Sequence, residues 1–187
     1  MALFFGLLMF TSRLAISQDI PDIIQLMQTS IEVNMKGFLT NEEIEAAKET
    51  MGVDQTLIYD QTYFVIETQV DGRPTMVGCG GWGKRRTLYG GNHTKGRDDS
   101  FSDPLTEPAR IRAMYTHPEW TRKGIGLMLL ELGENAARDA GFKTIELGAT
   151  LAGEPLYLRA GYREVSRDIQ IAENGARNVV IKMSKKL

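Results

Sequence analysis

Cysteine is nearly absent from this chain. The single Cys79 forbids an intrachain disulfide, and with only His93 and His117 beside it no protein-built zinc site is expected. Cys79 itself reads as a small buried hydrophobe rather than a nucleophile. Neither sign of charge is in excess: 22 Lys and Arg against 24 Asp and Glu give a formal charge of -2. A chain so balanced is not a general polyanion binder, so nucleic acid is not an expected partner and any anion site must be local. The apolar run from Met1 to Phe10 is far shorter than the roughly 20 residues that span a bilayer. It also lacks the basic start and small-residue cleavage site of a secretory leader. A membrane is therefore not an expected partner, and the cytoplasm is the expected location. Proline is sparse and no Pro/Ser-rich linker divides the 187 residues, which suits one domain with one core. Residues 1–7 read as an apolar extension and residues 8–187 as that domain.

What is present is an alternation of helix and strand signals. Leu8 to Ile16 reads as a first strand. Ser17, Asp19 and Pro21 open a helix whose Ile20, Ile23, Ile24, Met27 and Ile31 follow helical spacing, ending near Met35 to Gly37. Thr40 and Glu43 form a capping box for a second helix, stopped by Gly52, and a helical turn follows around Asp54 to Tyr59. Thr62 to Thr68, the turn Asp71-Gly72 and the glycine-rich Met76 to Trp82 read as a hairpin. Lys84 to Thr106 has no periodicity, as in a functional or a disordered loop. Ala109 to His117 is a strand, Thr121 to Ala140 a long helix closed by Gly141, Thr144 to Thr150 a strand and Glu154 to Ala160 a short helix. Tyr162 to Ile171 and Arg177 to Ser184 flank the turn Glu173-Asn174-Gly175. Hairpins around a central β-α-β unit predict a mixed sheet with helices on both faces.

The most informative stretch is Thr121-Arg122-Lys123-Gly124-Ile125-Gly126, between a strand and the long helix. A helix N-terminus presents free N–H groups and about half a positive charge. Two glycines let a diphosphate approach that backbone, and Arg122 and Lys123 add charge beside it. The stretch is not a P-loop, and Leu129 stands where a dinucleotide fingerprint needs its third glycine. Taken alone it also fits a plain helix start with a solvated basic pair.

Its surroundings extend the pattern. The segment from Arg112 through Thr116, His117, Pro118 and Arg122-Lys123-Gly124-Ile125-Gly126 to Leu130 resembles the acetyl-CoA motif of the GNAT (GCN5-related) N-acetyltransferase superfamily. Gly141-Phe142 through Leu147 to Thr150 resembles that family's next strand, and Gly153 to Tyr157 to Gly161-Tyr162 its A-x-x-F-Y-x-x-x-G-F/Y segment. Arg13 to Ile23 and the hairpin from Tyr63 to Gly81 are similar to its N-terminal half, so the likeness covers about residues 8–184. One departure is Thr121, where the family prefers Gln or Arg.

The resemblance implies an α/β (α+β) fold: a mostly antiparallel sheet of six to seven strands flanked by about four helices. It also implies acetyl-CoA as cosubstrate, with its pantetheine arm between two splayed parallel strands as an added strand would lie. Met114, Tyr115 and Thr116 would line one side, Ala149 and Thr150 the other. Arg122, Lys123, Gly124, Ile125, Gly126 and Leu127 would hold the diphosphate. A bulge near Met114 would aim an N–H at the thioester carbonyl. Tyr157 would give a proton or hydrogen bond to the departing thiolate. The partner would be a small amine-bearing acceptor, near Met35, Phe38, Trp82 and the run Lys84-Arg85-Arg86. For the general base, Glu107, Asp103, His117 and Glu32 stand as candidates that no motif separates. A homodimer is left open by the C-terminal strands. A reading of another class is a non-catalytic acyl-CoA sensor or interaction module, which would keep the glycine turn without needing Tyr157.

Overall fold

A computed structural model describes residues 10–187. Residues 1–7, and Leu8 and Met9 of the expected first strand, lie outside the described residues. The order is β1 (Thr11–Leu14), α1 (Ile20–Asn34), α2 (Asn41–Thr50), α3 (Gln55–Tyr59), β2 (Tyr63–Val70), β3 (Arg73–Gly83), β4 (Ala109–Thr116), α4 (Ile125–Asp139), β5 (Thr144–Ala149), α5 (Glu154–Arg159), β6 (Arg163–Ile171) and β7 (Arg177–Lys186). The seven strands form one sheet in the order β1-β2-β3-β4-β5-β7-β6. Among the described residues only β4 and β5 pair in parallel; the other pairs are antiparallel.

Local chemistry explains most of the boundaries. Asp71 and Gly72 turn the β2–β3 hairpin with φ of 49° and 74°, the left-handed pair that matches strand twist. Thr40 Oγ1 accepts from the Glu43 amide while Glu43 Oε2 accepts from the Thr40 amide at 2.9 Å, which closes the capping box of α2. Asp19 does not cap α1 with its side chain. Its carboxylate instead accepts the Ile16 amide at 2.8 Å and both terminal nitrogens of the Arg13 guanidinium, at 2.7 and 2.8 Å. That pairing holds the Asp19 carboxyl below the usual carboxylate range.

The two faces of the sheet bury different helices. Ile23, Met27 and Ile31 of α1 pack with Val65, Cys79 and Tyr115. On the opposite face Ile125 and Leu129 of α4 pack with Ile66 and Val77. Each of those α4 side chains is almost fully buried, at 1% exposure, which contributes about 1.5–3 kcal/mol apiece. Gly78 makes that approach possible: a Cβ there would lie 2.4 Å from Ile125 Cγ2. Trp82 also belongs to this face, edge-on to Phe142 with centroids 6.0 Å apart.

The long helix begins at Ile125 rather than at Thr121, because Arg122 and Gly124 are left-handed, with φ of 63° and 90°. Among the described residues there are five α-helices, close to the number expected. The segment 84–106 is irregular but tied down. Arg85 pairs with both oxygens of Asp60 at 2.6 and 2.8 Å, Arg86 with both of Glu107 at 2.7 and 2.9 Å, and Arg97 reaches Asp54 at 2.9 Å. Among the described residues no helix is long and apolar enough to cross a membrane.

Candidate functional site

The site begins where two strands part. β4 and β5 are paired only at Ala109–Ile145 and Arg110–Glu146, after which β4 continues to Thr116 and β5 to Ala149. The fork coincides with a bulge on β4. The register passes from Cys79–Tyr115 to Gly81–Arg112, so Ala113 and Met114 together face Gly80. Ala113 takes a φ of 50°, which few non-glycine residues adopt. Gly80 is required there, since a Cβ would stand 2.7 Å from Met114 Cγ. Below the bulge the Tyr63 hydroxyl donates to the Ala113 carbonyl at 2.7 Å and lies 3.3 Å from Cys79 Sγ. Burial pushes the Cys79 thiol up to about 12, so it stays protonated and inert.

The turn before α4 supplies the second element. Gly124 is its N-cap, and among the described residues no side chain caps the helix. Free amides beside two left-handed residues make a concave, anion-accepting backbone. Thr121 does not reach into it: its Oγ1 donates to Pro118 O at 3.0 Å and closes the preceding turn. His117 likewise serves the turn, accepting the Glu119 amide on Nδ1 at 3.3 Å. The two glycines have separate reasons. Gly124 has open space around it and a left-handed φ, whereas a Cβ at Gly126 would meet Leu156 Cδ2 at 2.8 Å. A side chain at Gly126 would therefore crowd the end of Leu156 on α5, apart from any contact with a ligand.

One cleft of about 730 Å³ joins these parts. Of the residues expected at a cofactor, Met114, Tyr115, Thr116, Arg122, Gly124, Ile125, Gly126, Leu127 and Thr150 line it, with Tyr157 in the same wall. Lys123 does not; its Nζ sits over the Trp120 ring, 5.6 Å from the centroid. The Tyr157 ring packs edge-on to Tyr162 at 6.0 Å, and burial pushes its phenol up to about 12. A phenol so placed is a proton carrier at neutral pH, not an anion. Met35 and Phe38 line the cleft as expected, and Trp82 does not.

The charged candidates are elsewhere. Glu107, Asp103, His117 and Glu32 are all outside the cleft wall. The Arg86 guanidinium also holds the Glu107 carboxyl down to about 2, which makes it a poor base. In the basic run, Arg85 and Arg86 are committed to Asp60 and Glu107. Residues that sequence reasoning missed include Arg112 as an anchor. It is 3% exposed, and it donates to Asp54 at 2.7 Å, the Gly90 carbonyl at 2.8 Å and the Thr87 carbonyl at 3.0 Å. Tyr63, Gly80 and Asp54 were missed with it. A glycine-rich strand signals close approach, but nothing local signals these particular partners.

The fold and site define an acetyltransferase class. Residues 60–164 match the family profile described as acetyltransferase (GNAT) domain, and the chain belongs to that family. Solved structures share the fold across nearly the whole chain. A GCN5-related N-acetyltransferase from Rhodopseudomonas palustris is 17% identical, with 95% of each chain covered and a TM-score of 0.66. The PaiA N-acetyltransferase of Thermoplasma acidophilum in complex with coenzyme A is 15% identical over 96% of this chain and 99% of that one, with a TM-score of 0.58. The ribosomal-protein-S18-alanine N-acetyltransferase of Escherichia coli is 17% identical over 95% and 94%, with a TM-score of 0.56. No curated protein sequence matches the chain.

Proposed function

We propose that this chain transfers an acetyl group from acetyl-CoA to a primary amine by direct attack within a ternary complex. The observation that carries the proposal is the single cleft running from the uncapped amides of α4, through the β4–β5 fork, to the Tyr157 wall. The family's relative from Thermoplasma acidophilum was solved with coenzyme A, which supports the same ligand class here.

Each residue has a distinct task. The amides of Ile125, Gly126 and Leu127 take the diphosphate, helped by the α4 dipole and Arg122. Met114, Tyr115 and Thr116 on one edge and Ala149 and Thr150 on the other hold the pantetheine arm. Bound acetyl-CoA supplies an activated thioester. The Met114 N–H, aimed by the bulge, steadies the negative charge that develops on the carbonyl oxygen. The amine nitrogen forms the new C–N bond, the C–S bond breaks, and Tyr157 protonates the leaving sulfur. The amine's own proton passes to water, and Tyr157 is reprotonated from solvent. No carboxylate or imidazole lines the cleft among the described residues, so positioning two bound reactants carries much of the acceleration.

The test is thiol release from acetyl-CoA across a panel of primary amines, with the acetylated product identified by mass spectrometry. Amine-dependent release supports the proposal. Tight acetyl-CoA binding without release by any amine would contradict it and leave an acyl-CoA-binding module.

A further inference from the structure

The cleft extends beyond the parts assigned to the cofactor. Met35 and Phe38 after α1, Met51 after α2, Tyr89 of the 84–106 segment and Val180 of β7 also line it. These side chains are apolar or aromatic, and Phe38 is 51% exposed although it is a large hydrophobe. Among the described residues the cleft wall contains no Asp, Glu, Lys or His; its only charged side chains are Arg112, Arg122 and Arg159. Arg112 is buried and committed to Asp54 and two carbonyls. The side-chain amide nitrogens of this arm are turned onto the protein. The Asn34 amide donates to Ser30 Oγ at 3.0 Å and the Thr116 carbonyl at 2.8 Å, and the Asn178 amide donates to Thr50 Oγ1 at 3.1 Å.

Within this arm no carboxylate meets a second ammonium; Glu49, Asp98 and Glu173 line a neighbouring pocket that shares Thr50, Leu88 and Tyr89 with it. A cation entering the arm would lose water without gaining a counter-ion, in a cleft that already carries positive charge. An apolar body would instead gain by leaving water against Met35, Phe38 and Met51. Building on the transferase function above, we propose that the acceptor is a primary monoamine on an apolar body, with no second positive charge, received between Met35, Phe38, Met51, Tyr89 and Val180. The absence of a carboxylate also disfavours the ammonium form of the reacting nitrogen, so the arm selects the neutral amine that attack requires.

The probes are hexylamine and hexamethylenediamine, which differ by one terminal ammonium. Calorimetric titration of the coenzyme A-loaded protein is expected to give hexylamine about ten-fold or more tighter binding. Phe38→Glu, at an exposed position, is expected to narrow or invert that preference. Equal or tighter binding of the diamine to the unaltered protein would overturn the proposal, as would failure of both amines to bind. Thiol release separates this from the function beneath it. Turnover of the diamine in preference to hexylamine would sink the acceptor class alone, while failure of acetyl-CoA to bind would sink the transferase.

Discussion

Residues 109–162 and residues 84–106 both contribute to the wall of one cleft, by different physics. The first stretch is a strand, a turn, a helix, a strand and a helix, and its turns are set by residues close in sequence. Its glycines mark either a left-handed turn, at Gly124, or a close helix approach, at Gly126. The second stretch has little regular structure and is fixed by charge. Arg112 and Arg97 converge on Asp54, whose side chain is 0% exposed, while Arg85 and Arg86 each grip a carboxylate outside the segment. The proposed cofactor side can rest on main-chain geometry. The loop beside the proposed acceptor arm is tied by side chains, so a single substitution can loosen it.

The largest expected effect breaks the second region. Asp54→Ala would leave two arginines without their shared buried partner. It is expected to cost about 3–5 kcal/mol in urea unfolding. A loss under about 1 kcal/mol would mean the loop does not depend on this pair. In the first region, Tyr157→Phe is expected to lower kcat about a hundred-fold while leaving acetyl-CoA affinity unchanged. Because burial raises the phenol to about 12, it remains a proton donor throughout the neutral range. The rate should therefore rise with pH through the acceptor's own amine pKa, with no alkaline fall below about pH 11. A fall near pH 8 would assign the proton to another group.

Smaller effects sharpen the contrast. Gly124→Glu places a like charge and a side chain at a left-handed position beside the proposed diphosphate site. Weakening of acetyl-CoA binding by about thirty-fold is expected by calorimetry, with little change in the 84–106 segment. Tyr63→Phe removes the hydroxyl that holds the Ala113 carbonyl, and so acts on Met114 only through the bulge. We expect kcat to drop about five-fold to ten-fold with KM for acetyl-CoA unchanged. A matching rise in KM would point to general loosening instead.

The same contrast explains what was legible in sequence. The capping box at Thr40 and Glu43, the Asp71-Gly72 turn and the Gly141 stop are local signals, and each lands where expected. The start of α4 was placed too early because a left-handed Arg122 leaves no trace in residue type. Trp82 was expected near the acceptor, but its place in the strand turns it onto Phe142. The order of the 84–106 segment was unreadable for a physical reason. Its anchors, Arg97 and Arg112, lie 43 and 58 residues from Asp54. The basic run at Lys84 to Arg86 likewise offered positive charge to a ligand, yet two of its members are neutralised by partners 21 and 25 residues away.

The central claim is that main-chain amides at the start of α4 hold the diphosphate. Amide resonances of Gly124 to Leu127, followed by NMR as coenzyme A is added, test it directly. Large shifts confined to those amides and to the β4–β5 fork are predicted, with Arg97 and Asp99 unmoved. Resonances at Gly124 to Leu127 that stay in place while coenzyme A binds elsewhere would contradict it.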